Sequence, residues 1–178
     1  NIRPTSVASG IAEVECFPAE TWALDPLGFL RTGTAALPHV PTARIANHSW
    51  VGGQRGESDG QSGPGVVAPS PTRVLEALKR VDYVVATDDY VQVAGANNGP
   101  DVPEMMQCSY NAIIVGRSTG RHSMGTVRLD RPLYGAGRAK PDLVAPAAHT
   151  STASPMVAAC AAMLIGFAHE RGEELLRL

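Results

Sequence analysis

Ser151 stands where an extended segment gives way to an apolar helix, and that position is a chemical opportunity. Free N–H groups and the positive end of a helix dipole favour negative charge developing beside a hydroxyl. Serine is also an ordinary cap residue at helix starts, so position alone leaves both readings open. Elsewhere an imidazole sits next to a hydroxyl at His48-Ser49 and at Arg121-His122-Ser123. Gly56-Glu57-Ser58-Asp59-Gly60 fits the wording of a hydrolase nucleophile elbow. That elbow needs an apolar strand before it and a helix after it, and neither flanks Ser58.

The elements that must position Ser151 follow from the wording around it. Lys140-Pro141-Asp142-Leu143-Val144-Ala145-Pro146 reads as an extended arm, because each proline disfavours helix at the residue before it. The helix therefore begins after Pro146, near Ser151 or Thr152, with Pro155 tolerated in its first turn. From Met156 to Ala168 only Gly166 interrupts an apolar run. A helix with no polar face belongs inside a protein, and this run is shorter than the roughly 18 apolar residues of a bilayer span.

Upstream, Thr5 to Ala12 reads as a small-residue helix and Glu13 to Pro41 as irregular connections with one short element. Ala43 to Gly52 is a strand candidate, and Gly52 to Pro71 an exposed loop rich in Gly and Ser. Ser70-Pro71-Thr72 opens a helix whose apolar stripe is Val74, Leu75, Leu78 and Val81, with Tyr83 to Ala86 breaking the period. Tyr90 to Gly95 is a strand ending in the turn Ala96-Asn97-Asn98-Gly99, of residue types that suit positive φ. Cys108 to Gly116 holds another strand, and Arg117 to Ala139 reads as solvated loop. Strands alternating with helices imply an α/β fold with a mostly parallel sheet.

Read together, these stretches resemble the subtilisin-like serine peptidases (subtilases). Lys140 to Pro146 followed by Thr150-Ser151-Thr152-Ala153-Ser154-Pro155-Met156 is similar to their nucleophile segment, with Ser151 on the attacking serine. His149 stands where the family usually has Gly, and Met156 where it often has His. Tyr90 to Gly99 resembles the strand that ends in the oxyanion asparagine. Asn97 matches best, and Asn98 is close behind because the turn carries an extra residue. Ala43 to Gly52 resembles the edge that lies along an extended substrate, which implies that Ser49, Trp50 and Val51 line a cleft. His48 is then a routine side chain on that strand rather than a replacement base. Cys108 to Gly116 is similar to the next family strand.

The resemblance implies a three-layer, subtilisin-like fold over residues 1–178, with helices on both faces of the sheet and the N-terminal part incomplete. Thr5 to Ala12 resembles the helix that follows the family's general-base histidine, and this register puts Arg3 at the histidine position. An arginine stays protonated and cannot accept the serine's proton. The family's triad aspartate lies on a strand upstream of that point, and only two residues precede Arg3. Arg3, Ser49, Asn97 and Ser151 are each about fifty residues apart, room for one βα unit apiece.

Composition bounds the function classes. A net charge of −2 provides no basic footprint for nucleic acid or an anionic membrane. Cys16, Cys108 and Cys160 cannot all pair internally and show no metal spacing, and Cys160 reads as a small buried hydrophobe. No cofactor is expected. Calcium is common in the family, but no ligand set is readable.

Two functional readings result: a serine endopeptidase of peptide or protein substrates, secreted as the family commonly is, with this chain inactive for want of Asp and His; or a relative that binds extended peptides without cutting them. Loss of the aspartate-bearing strand would leave backbone groups unpaired, so a marginal or association-prone monomer is expected.

Overall fold

The computed structural model describes residues 14–50, 70–100, 106–127 and 137–172. Arg3, Val51, the helix expected over 5–12 and the loop bearing Ser58 lie outside the described residues.

Along the chain come α1 (Ala19–Leu24), β1 (Ile45–His48), α2 (Pro71–Thr87), β2 (Val91–Gly95), a 3-10 turn (Met106–Cys108), β3 (Ile113–Arg117), β4 (Gly125–Val127), β5 (Arg138–Lys140), β6 (Leu143–Ala145) and α3 (Thr150–Arg171). Among the described residues four strands form a parallel sheet in the order β1-β2-β3-β6, while β4 and β5 form an antiparallel pair. Register is set by Ile45 opposite Val91, Val93 opposite Ile113 and Val115 opposite Leu143. This is an α/β fold with a parallel sheet.

Strand alternation divides the interior into two clusters. Ala94 and Ile114 join Trp22, Leu30, Val74, Leu78, Val81 and Val84 beneath α1 and α2. Val93 and Val115 face Ala153 and Ala158 of α3. Ser70 caps α2, its hydroxyl accepting the Arg73 N–H at 3.4 Å, with Pro71 in the first turn. The period does not break at Tyr83 as expected: Val84 falls one helical step after Val81 and is also buried, so α2 runs on to Thr87.

Charged side chains pin the sheet from within. Asp82, buried on α2, accepts from the Asn111 N–H at 2.7 Å and the Ser109 hydroxyl at 3.0 Å, fixing the entry to β3. Lys140 is buried as well, donating to the Ala112 carbonyl at 2.9 Å and to Asp142 at 2.8 Å. The same Asp142 oxygen accepts the Ile114 N–H at 2.7 Å. The Lys-Pro-Asp wording thus splits the expected arm into β5 and β6 and anchors both to β3.

The last helix departs from expectation in three respects. It begins at Thr150, so Pro155 lies in its second turn. Its far half is not interior: Met163, Leu164 and Phe167 are exposed, and so is Cys160, which is no buried hydrophobe. At 22 residues it is, by length and composition, long and apolar enough to cross a membrane, although its first turns lie on the sheet. Ala158 is the last buried residue of α3, and beyond it the described side chains are half-buried or exposed.

Candidate functional site

The C-terminal ends of parallel strands are where α/β folds collect functional groups, and the start of α3 lies at such an end. Gly95 closes β2 directly under it: a Cβ there would meet the Thr150 carbonyl carbon at 3.2 Å. Thr150 is buried and Ser151, next in the first turn, is exposed. His149 precedes the helix without a side-chain cap bond.

Asn98 supplies the missing cap from a distant turn. Its side-chain oxygen accepts the Thr150 N–H at 2.9 Å and faces the Thr150 hydroxyl at 3.3 Å. Asn97 is held differently: its N–H donates to Gln107 Oε1 at 2.9 Å and to Ser123 Oγ at 3.0 Å, and its carbonyl accepts the Ser123 N–H at 3.0 Å. The asparagine whose side chain caps the helix start is therefore Asn98, the second of the two candidates.

Arg117 holds the arrangement together and was not among the residues the sequence singled out. Its guanidinium donates to the Ala148 carbonyl at 2.7 Å and the Asn98 carbonyl at 3.1 Å, bridging the two turns that flank the helix start. The available signal was a lone arginine directly after the Val115-Gly116 strand end.

Ser49 and Asn47 reach α3 from the other side. Asn47 Nδ2 donates to Ser49 Oγ at 2.9 Å, and the buried Ser154 hydroxyl donates to Asn47 Oδ1 at 2.9 Å. Ser49 Oγ donates to the Ser151 carbonyl at 3.1 Å. Their spacing of two along the chain puts Asn47 and Ser49 on one face, and His48 and Trp50 on the opposite one.

His48 is accordingly buried away from Ser151. Its ring packs on Trp22 at 4.6 Å, edge-on to Trp50 at 5.7 Å, and Nε2 lies 2.8 Å from Gln92 Oε1. Desolvation holds its pKa down to about 4, against the upward pull of the Gln92 bond. Trp50 is half-buried and, with Trp22, His48 and Tyr90, borders a cavity of about 910 Å³ beside β1; neither Ser151 nor Asn98 lines it.

His122 and Ser123 were expected in a solvated loop, yet both are buried. The His122 ring fills the space over Gly116, where a Cβ would come within 2.7 Å of it, and its Nδ1 lies 3.1 Å from the Ser123 carbonyl. Ser123 Oγ donates to Gln107 at 2.6 Å and so serves the Asn97 turn.

Ser151, Asn98, Thr150 and Ser49 are therefore brought together, and His48 is turned away. Among the described residues, no three His, Cys, Asp or Glu side chains gather as a metal site. No family model, curated protein or solved structure matches the chain.

Proposed function

We propose that this chain carries the nucleophile side of a serine endopeptidase cleft of the subtilase type, within a three-layer subtilisin-like fold. Ser151 is the nucleophile. Asn98 is the oxyanion donor, aided by the N–H groups at the start of α3. The observation that carries the reading is the pairing of Asn98 with Thr150 immediately beside the exposed Ser151. With Asn98 Oδ1 engaged by Thr150, the amide's other end, Nδ2, is a donor for charge developing on a carbonyl oxygen. An extended peptide would run along Ser49, Trp50 and Val51, giving backbone hydrogen bonds to the chain leaving β1.

Among the described residues, no histidine hydrogen-bonds the Ser151 hydroxyl as a base would. Arg3, at the position the resemblance assigns to histidine, cannot accept a proton, and His48 is engaged with Gln92. A serine without base and orienting carboxylate keeps at most an acceleration of order 10³ to 10⁴ over water, from the oxyanion hole and binding. Peptide bonds, whose amine leaving group needs a proton, remain uncut by this chain.

The test is turnover of a p-nitrophenyl ester of a short extended peptide, whose leaving group needs no proton. Slow turnover above buffer, abolished by Ser151→Ala and by Asn98→Ala, is expected. Turnover that survives Ser151→Ala would overturn the assignment of the nucleophile. Peptide hydrolysis that vanishes in Ser151→Ala would overturn the inactivity.

The second reading is an extended-peptide binder that does not cut. The engagement of His48 and His122 in buried contacts favours it. Calorimetric binding of an extended peptide with no ester turnover at all would select it.

A further inference from the structure

Pro155 has no N–H, so the Ser151 carbonyl, four residues earlier in α3, has no helical donor. The hydroxyl of Ser49 stands 3.1 Å from that carbonyl and donates to it. The donor is itself oriented. Asn47 Nδ2 gives Ser49 Oγ a hydrogen bond at 2.9 Å, and of the two acceptors within reach of the Ser49 proton the Ser151 carbonyl at 3.1 Å is nearer than Ser154 Oγ at 3.4 Å. Asn47 is fixed in turn by Ser154, which is fully buried and directs its hydroxyl to Asn47 Oδ1 rather than back along its own helix. Ser49, Asn47, Ser154 and the Ser151 carbonyl form one chain of hydrogen bonds between the exit of β1 and the first turns of α3.

We propose that Ser49 is a positioning residue for Ser151: it replaces the donor that Pro155 removes and so fixes the peptide plane from which the Ser151 side chain projects. The proposal rests on the reading of Ser151 as nucleophile and adds a coupling to it. The chain segment that would pair with a peptide also holds the serine, so an extended peptide pressing on Ser49 acts on the Ser151 peptide unit directly. A free carbonyl in the same place would be satisfied by water and would transmit nothing. One device thus accounts for a proline inside a helix and for a hydroxyl at the end of a strand.

The experiment uses the full chain labelled with carbonyl-¹³C serine and ¹⁵N threonine. Only Ser118-Thr119 and Ser151-Thr152 then give a carbonyl-to-amide correlation, and the first is an internal control. Ser49→Ala is expected to move the Ser151 carbonyl resonance upfield and leave Ser118 in place, while Ser49→Thr, which keeps the hydroxyl, restores it. Pro155→Ala supplies a helical N–H, so in that background Ser49→Ala should no longer move the resonance.

Ester turnover is read in the same variants. Ser49→Ala should lower kcat about tenfold, the weight of one hydrogen bond, with little change in KM, and Pro155→Ala should suppress that loss. A Ser151 carbonyl that ignores Ser49→Ala, or kcat effects of Ser49→Ala and Pro155→Ala that are independent, would overturn the positioning role. Absence of turnover in the unmodified chain would remove the peptidase reading alone, since the carbonyl resonance reports the Ser49 bond without it.

Discussion

Asn98 accepts the Thr150 N–H through its side-chain oxygen at 2.9 Å, joining the turn after β2 to the first residue of α3 across 52 positions of sequence. That bond makes stability and chemistry separable at one residue. Asn98→Ala leaves a helix-start donor without its partner and should cost about 1 kcal/mol in chemical denaturation. Asn98→Asp keeps an acceptor and adds negative charge at a helix N-terminus, so stability should hold or rise. A carboxylate cannot donate, so Asn98→Asp should still abolish ester turnover. A stable Asn98→Asp variant with full turnover would remove Asn98 from the oxyanion role.

Gly116 and His122 form a close-packed pair. A methyl group on Gly116 would lie 2.7 Å from the imidazole. Gly116→Ala should destabilise by about 1–3 kcal/mol, as overpacking does. His122→Ala vacates that space, so the double variant should be more stable than the sum of the two single losses predicts. Thermal melts of the four proteins give the coupling, and strict additivity would show that the ring moves aside freely.

His48 should make stability pH-dependent. Its folded pKa of about 4 lies below the ordinary 6.5, so the unfolded chain binds the proton more readily. By linkage the neutral ring's contribution is full above pH 6.5 and is lost as pH falls towards 4, by about 3 kcal/mol for the full effect. Urea midpoints measured across that range should fall with acid, and His48→Gln should flatten the fall. An unchanged slope in His48→Gln would assign it to other groups.

The exposed part of α3 predicts association. Leu164 is 70% exposed and Phe167 50%, on the same stretch as Met163. Exposed apolar surface of this kind drives self-association. Leu164→Lys should shift light-scattering mass towards the monomer while moving stability by no more than about 0.5 kcal/mol, as for surface substitutions generally. A mass unaffected by Leu164→Lys would place the contact elsewhere.

How much of this was legible beforehand differs element by element. The cap Ser70 with Pro71, the stripe from Val74 to Val81 and the Val-rich strands are local signals, and each produced its element. The end of α2 was misplaced because Tyr83 points outward while Val84 completes the buried stripe. The burial of His122 could not be read, because its partner is the empty space over Gly116, six residues earlier and on a strand. Likewise the exposure of Cys160 and Leu164 depends on what distant parts of the chain pack against α3, which an apolar run does not state.

By itself the sequence determined the parallel α/β alternation, through periodicity and turn residues, and the placing of Ser151 at the head of an apolar helix, through Pro146 and Pro155. For the oxyanion asparagine the resemblance favoured Asn97 over its neighbour Asn98. Tertiary structure decided that it is Asn98 that reaches Thr150, that Arg117 ties the two turns together, and that His48 faces Trp22 and Gln92. Those outcomes depend on which donors and acceptors distant parts of the chain bring within about 3 Å, the reach of a hydrogen bond. Local spacing carries no information about that distance.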